Sequence, residues 1–103
     1  MTAHITIDQS KITDFCRRWD IVEFSLFGSV LRDDFRLDSD VDVLVSFDQN
    51  ARHGLFDLVR MQDELSEILG RNVDLVEREA VENSENYIRR KHILSNTECL
   101  YVA

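Results

Sequence analysis

The chain has 103 residues, of which 44% are hydrophobic and 31% charged, with 12 Lys and Arg against 20 Asp and Glu. This length suits one domain, residues 1–103, with a single hydrophobic core, and the composition excludes an intrinsically disordered chain. The net charge of −8 disfavours DNA or RNA as a ligand, because such binding requires a basic surface. No apolar run approaches the roughly 20 residues that cross a bilayer, so membrane insertion is not expected.

The two cysteines, Cys16 and Cys99, both lie within apolar patterns. Because the sequence shows no signal peptide, disulfide formation in an oxidising compartment is not expected. We therefore predict a cytoplasmic protein in which both cysteines are reduced thiols of the core.

The N-terminal half of the chain predicts one helix and two strands. Apolar residues recur at the helical spacing i, i+3, i+4 and i+7 at Ile12, Phe15, Cys16 and Trp19, and Asp8 or Ser10 can cap this helix. A strand over residues 21–27 follows, and its alternation predicts a face made of Val22, Phe24 and Leu26. Residues 29–32 can form a short helical turn. The clearest strand covers residues 41–47, with one apolar side formed by Val41, Val43, Val45 and Phe47.

The C-terminal half predicts two helices and two short strands. A helix over about residues 54–69 ends before Gly70, and its apolar stripe is predicted to contain Leu55, Leu58, Val59, Leu65, Ile68 and Leu69. A strand over residues 73–76, a third helix over about residues 82–93 and a strand over residues 98–102 complete the order. This order predicts an α/β (α+β) fold in two layers, with a mixed sheet of about four strands and helices packed against it.

Two carboxylates stand together at the start of the strongest strand. Asp40 and Asp42 are two residues apart, so the alternation of a strand points both side chains to the same face. Like charges this close repel unless a cation lies between them, and hard oxygen ligands suit Mg²⁺ or Mn²⁺. An acidic, solvated loop that leads into a strand explains the same short pattern without any metal.

The segment 38–42 also resembles the start of a calcium-binding EF-hand loop. Its sixth position is Val43, where the sharp turn requires Gly, and its twelfth is Gln49, where a bidentate Glu is required. The EF-hand interpretation is therefore rejected.

A possible phosphate-binding turn follows the first strand. Gly28 lets backbone N–H groups approach an anion, and Ser29 adds a hydroxyl donor. Arg32, one turn further on, can hold phosphates with its planar guanidinium group. A tight turn with a helix-capping Ser explains Gly28 and Ser29 equally well, and the segment matches neither a dinucleotide-binding fingerprint nor a P-loop.

A third carboxylate, Asp74, lies between Val73 and Leu75 in a predicted strand. A charge inside an apolar strand needs a partner or access to solvent, because burial of an unpaired charge is costly. Asp74 can face the same metals as Asp40 and Asp42, or it can point into water from an edge strand.

Taken together, these motifs resemble the minimal nucleotidyltransferases of the DNA polymerase β superfamily. The family signature is Gly-Ser, ten residues, then Asp-x-Asp, and here Gly28 and Ser29 are followed by ten residues and then by Asp40 and Asp42. The resemblance implies that Asp40, Asp42 and Asp74 are catalytic and bind two Mg²⁺ or Mn²⁺ ions. It also implies that Gly28, Ser29 and Arg32 bind the triphosphate of ATP.

The same resemblance implies a biological setting. Stand-alone domains of this kind are typically antitoxins paired with a helical HEPN-type RNase toxin, and some transfer AMP from ATP to a hydroxyl of that toxin. Little chain remains for an acceptor pocket, so we expect a protein partner or a second copy to supply it. A non-catalytic antitoxin that blocks its partner sterically is the alternative, and modification of a small molecule would need a further domain.

Overall fold

The computed structural model describes residues 7–31 and 40–103, except for the side chains of Ser29, Arg89, His92 and Ser95. The helices there are α1 (Gln9–Arg18), α2 (Leu55–Leu69), α3 (Arg78–Glu82) and α4 (Tyr87–Ser95). The strands are β1 (Ile21–Phe27), β2 (Val41–Phe47), β3 (Val73–Glu77) and β4 (Thr97–Val102), and a 3₁₀ turn covers Gly28–Leu31. None of these helices is long and apolar enough to cross a membrane.

The four strands form one mixed sheet in the order β3-β2-β1-β4. β1 pairs antiparallel with β2 and with β4, whereas β2 and β3 are parallel. A parallel pair needs a crossover connection, and α2 provides it. The predicted fold class, a mixed sheet of four strands with helices packed against it, is confirmed.

The main core lies between one face of the sheet and helices α1 and α2. Its fully buried side chains include Phe15, Phe24, Val43, Met61 and Leu65. The rings of Phe15 and Phe24 meet edge to face, with centroids 6.4 Å apart. Each of these side chains contributes about 1.5–3 kcal/mol by leaving water, so this cluster fixes the position of both helices.

The start of α1 follows from local hydrogen bonding. The helix begins after Asp8, whose Oδ1 accepts hydrogen bonds from the backbone N–H groups of Ser10 (3.1 Å) and Lys11 (3.4 Å). Asp8, rather than Ser10, is therefore the cap. The Ser10 hydroxyl also donates to this carboxylate, and its hydrogen bond is the largest cause of a lowered pKa of the Asp8 carboxyl, followed by the backbone bonds. All of these bonds stabilise the charged form of the carboxyl.

The face predicted for β1 by simple alternation differs from the buried face at its first position. Ile21, not Val22, joins Phe24 and Leu26 in the main core. The pairing of β1 with β2 shifts register between Ile21 and Glu23, and such a bulge changes the alternation of side chains at that point.

The predicted apolar stripe of α2 was wrong at its N-terminal end. Met61, which the prediction omitted, is fully buried, whereas Leu55 and Val59 are exposed. The stripe centres on Met61 and Leu65, and at about 100° per residue Leu55 lies about 120° and Val59 about 160° around the helix from Met61. The predicted end of the helix is confirmed, with Gly70 at a φ of +68°.

The single third helix predicted for residues 82–93 is two helices. A turn over residues 83–86 separates α3 from α4. Within it the backbone N–H of Asn86 donates to Oγ of Ser84 at 3.2 Å, and side chains of this kind compete with helical hydrogen bonds. Val81 and Ile93, one from each helix, pack with Phe27 and Leu44 on the sheet face opposite the main core.

The prediction that both cysteines belong to the core is correct for one of them. Cys16 is fully buried in α1, whereas Cys99 is exposed on β4. β4 is an edge strand, so a side chain on it is covered only where a helix packs above it.

Candidate active site

The parallel pairing of β2 and β3 places two of the predicted carboxylates side by side. Asp42 lies directly opposite Asp74 in the register, and paired residues of neighbouring strands point to the same face about 4.8 Å apart. Asp42 is half-buried and Asp74 is exposed, because β3 is the edge of the sheet. Two residues 32 positions apart in the sequence therefore contribute to one site.

Asp40 lies just before β2 and is exposed. The backbone N–H of Val41 donates to the carbonyl of Asn72 at 2.9 Å, so the entry to β2 is held against the entry to β3. Because Asp40 precedes Asp42 by two residues, it lies towards the same face of the sheet, at the end where β2 and β3 begin.

Gly28 brings the backbone against the central carboxylate. Its φ is +77°, and a Cβ at this position would overlap Oδ2 of Asp42 and lie 3.2 Å from its Cγ. Only glycine combines this left-handed conformation with so close an approach. The 3₁₀ turn that follows is anchored in the core by Val30 and Leu31, which are buried.

For two of the predicted phosphate ligands, Ser29 and Arg32, the structure describes no side chain. Gly28 and Ser29 lie in the 3₁₀ turn, as predicted for a short helical turn, but the Ser29 side chain is outside the described part. Arg32 lies wholly outside the described residues. Their contacts with phosphates therefore stay a prediction.

Apolar side chains lie next to the carboxylates on the same face of the sheet. Phe27 pairs with Asp42 across β1 and β2, and it packs with Leu44, Val81 and Ile93 further along the same face. Charge interactions are stronger beside such low-dielectric material than in open water. Phe27 was not among the predicted site residues, and its only local signal in the sequence is its position as the last strand residue before Gly28.

The three predicted metal ligands have side chains of the kind that binds a hard cation. Asp40, Asp42 and Asp74 offer only carboxylate oxygens, which are ligands preferred by Mg²⁺. Within residues 7–31 and 40–103, however, no three His, Cys, Asp or Glu side chains are grouped closely enough to hold a metal ion. The backbone thus aligns Asp42 with Asp74 and places Asp40 just before the same strand as Asp42.

Comparison with protein families identifies the class. Residues 10–96 match the family described as the nucleotidyltransferase domain, and this chain belongs to that family. It is 38% identical over 66 residues to a protein of Methanocaldococcus jannaschii named "Putative protein adenylyltransferase", and the alignment covers 64% of this chain and 69% of that protein.

Several solved structures share the fold, among them two that contain toxin-antitoxin proteins. One, described as a toxin-antitoxin with AMP-PNP, is 18% identical with a TM-score of 0.71, and the match covers 94% of this chain and 75% of that one. The other is an MNT antitoxin in complex with a tri-AMPylated HEPN toxin of Shewanella oneidensis. It is 18% identical with a TM-score of 0.62, covering 92% of this chain and 70% of the other. At this identity the likeness establishes a minimal nucleotidyltransferase fold.

Proposed function

We propose that this protein is an antitoxin that transfers AMP from ATP to a hydroxyl group of a HEPN-type toxin in the cytoplasm. The observation that carries the proposal is the in-register pair Asp42 and Asp74 with the backbone of Gly28 against it, in a chain of the nucleotidyltransferase family. The name of the relative and the AMPylated toxin in the complex described above support AMP and a protein acceptor.

In this proposal Asp40, Asp42 and Asp74 hold two Mg²⁺ ions, with Mn²⁺ as a substitute. When bound, such ions stabilise the negative charge on the triphosphate and on the departing pyrophosphate. The N–H groups of the 3₁₀ turn after Gly28, together with Ser29 and Arg32, bind the phosphates. Asp74, exposed at the edge strand, is placed to accept the proton of an incoming hydroxyl.

The surface charge favours a protein acceptor over a nucleic acid. The chain carries a net charge of −8, and phosphate contacts dominate the affinity of proteins for nucleic acids. An acidic protein instead associates rapidly with a basic partner, because their potentials are complementary. An RNase toxin must bind RNA and therefore needs a basic surface, which is complementary to this acidic chain.

The test is nucleotide transfer to the product of the neighbouring gene. Intact-mass spectrometry of that protein, after co-expression, should show added AMP with the wild type and none with Asp40→Ala. The control Asp63→Ala removes an exposed carboxylate of α2 and should leave the transfer unchanged, since α2 lies outside the carboxylate site.

A steric antitoxin is the second candidate, because the exposed apolar side chains of Leu55, Phe56 and Val59 on α2 offer a binding surface that needs no catalysis. In that case the wild type and Asp40→Ala would neutralise the toxin equally, and neither would change its mass. This result would contradict the enzymatic proposal.

A further inference from the structure

A second concave surface lies at the end of the sheet remote from the aspartates. A cavity of about 510 Å³ is lined by the ends of β2 and β3, the start of α2 and helix α3. Phe47 lies five residues beyond Asp42 on β2, so the two ends are about 17 Å apart along the strand. A ligand in this cavity therefore leaves the carboxylate site open.

One side of this cavity continues into an exposed apolar surface on α2. Leu58 lines the cavity, and next to it on the same helix Leu55, Phe56 and Val59 are 75%, 84% and 49% exposed. We call these three residues the α2 patch. Contiguous apolar side chains at this exposure are typical of interaction surfaces, whereas single ones are common on any protein.

The other side of the cavity is acidic. Glu79 and Glu82 of α3 line it, and in the described part of the chain neither side chain has an ion pair or hydrogen bond. Of the two arginines of the cavity, Arg78 pairs with Glu23 at 2.7 Å, whereas Arg52 donates to the neutral carbonyls of Gln49 and Ala51 at 3.1 and 3.2 Å and keeps its charge. The acidic side chains of the lining, which are Asp48, Glu77, Glu79 and Glu82, outnumber these cations. The net charge of this surface is therefore negative.

Two other occupants fit the surface less well. Strand addition at the edge strand β3 is obstructed, because the outward N–H of Leu75 already donates to Oε1 of Gln62 at 3.1 Å. A second copy of this chain would bring another net charge of −8 against Glu79 and Glu82, and like charges across an interface are unfavourable.

We propose that the α2 patch together with Glu79 and Glu82 binds an amphipathic segment of the partner protein, with apolar side chains flanked by Lys or Arg. This proposal rests on the proposed function, in that the partner is the protein that receives the nucleotide. The apolar side chains cover the α2 patch, and the cations pair with the two glutamates. Docking at this end holds the partner while its acceptor hydroxyl reaches the carboxylates at the other end.

Binding is measured by calorimetry with the purified product of the neighbouring gene. The α2 patch is altered by Phe56→Ser and the acidic side by the double variant Glu79→Lys/Glu82→Lys. Every variant is made in the Asp40→Ala background, so that binding is observed without transfer. We expect Kd to rise at least tenfold in both, with unchanged thermal stability, because all three side chains are exposed.

The matched control is the double variant Asp14→Lys/Glu67→Lys. It makes the same change in net charge in the groove between α1 and α2 and should leave Kd within about twofold of its parent. In the transfer-competent protein, the docking variants should raise KM for the partner and leave kcat unchanged, since they lie far from the carboxylates.

Unchanged Kd in the docking variants would overturn the docking surface, even if the wild type transfers nucleotide normally. Equal weakening by Asp14→Lys/Glu67→Lys would also overturn it, because attraction would then depend only on total charge. If the docking variants lose the complex while the wild type transfers no nucleotide, the docking surface stands and the enzymatic function fails.

Discussion

Gly28 is the residue on which the geometry of the candidate site depends most directly. Its φ of +77° and the space it leaves for Oδ2 of Asp42 are two separate requirements. A second glycine, Gly70, has a similar φ of +68° but no heavy atom within 4 Å of the position of a Cβ. A comparison of substitutions at Gly28 and Gly70 therefore separates the effect of backbone strain from the effect of crowding the Asp42 carboxylate.

We expect Gly28→Ala to weaken Mg-ATP binding by more than tenfold, because the new methyl group must displace Asp42. Gly70→Ala should reduce the free energy of unfolding by about 1 kcal/mol through the same backbone strain and leave nucleotide affinity unchanged. Calorimetric titration with Mg-ATP and chemical denaturation measure the two effects. Normal affinity in Gly28→Ala would show that the close approach to Asp42 has no role in binding.

The two cysteines should differ strongly in reactivity. Burial raises the pKa of the Cys16 thiol to about 12, so almost no thiolate is present near neutral pH, and thiolate is the reactive form. Cys99 is exposed. At pH 8, Ellman's reagent should titrate one thiol in the native protein and two after unfolding, and Cys99→Ser should remove the native signal. Two rapidly reacting thiols in the folded wild type would contradict the packing of α1.

At the scale of secondary-structure elements, Glu64 connects α2 to the end of α1. Its Oε2 accepts a hydrogen bond from Nε1 of Trp19 at 2.9 Å, and its Oε1 pairs with Arg18. Partial burial raises the pKa of Glu64, but the hydrogen bonds from Arg18 and Trp19 together outweigh it and lower the pKa overall. A lowered pKa in the folded state means that the carboxylate stabilises the fold.

We expect Glu64→Gln to reduce the free energy of unfolding by about 0.5–1 kcal/mol at pH 7, a modest value because Arg18 is 56% exposed. The stabilisation is present above the unfolded-state pKa of about 4.3 and is lost as the pH falls through the lower folded-state pKa. The wild-type and variant unfolding curves should therefore converge at acidic pH. Glu67→Gln, an exposed change on the same helix, is the control. A difference that persists at pH 2 would assign the effect to packing.

Some helices and strands were predicted more accurately than others from their sequence patterns. α1, β2 and the C-terminal end of α2 were predicted correctly, because their signals are local: helical spacing, alternation, and a glycine with positive φ. The break between α3 and α4 was missed, although Ser84 and Asn86 stand in it. Such side chains favour a turn only weakly against a helix, so the outcome depended on the packing of Val81 and Ile93.

At the scale of the whole molecule, the parallel pairing of β2 and β3 brings two like charges to neighbouring positions of the sheet. Asp42 and Asp74 face each other across neighbouring strands, and directly opposite like charges destabilise a sheet by roughly 0.2–1 kcal/mol. A divalent cation that binds only the folded protein would reverse this penalty and add stability by mass action.

Asp74→Asn should therefore raise the melting temperature by a degree or more in EDTA and should abolish the stabilisation that Mg²⁺ gives to the wild type. Differential scanning calorimetry with and without Mg²⁺ measures both effects, and Asp63→Asn on α2 is the control for a general change in charge. A lower melting temperature of Asp74→Asn in EDTA would show that the carboxylate is stabilising without metal.

The sequence by itself determined those features of the site that depend on strong signals from neighbouring residues. Asp40 and Asp42 share a face because strand alternation is a property of the chain alone, and Gly28 ends β1 because its conformation is available to few other residues. The spacing from Gly28 and Ser29 to Asp40 and Asp42 was enough to identify the family, which the match over residues 10–96 confirmed.

Only the tertiary structure decided which distant residues meet. The sequence could not place Asp74 opposite Asp42, since this register is set by how α2 crosses over and packs Met61 and Leu65 into the core. The same packing leaves Leu55 exposed at the start of α2. Periodicity reveals that a helix has an apolar side, but which residues of that side are covered depends on where the sheet lies, and that position arises from contacts along the whole chain.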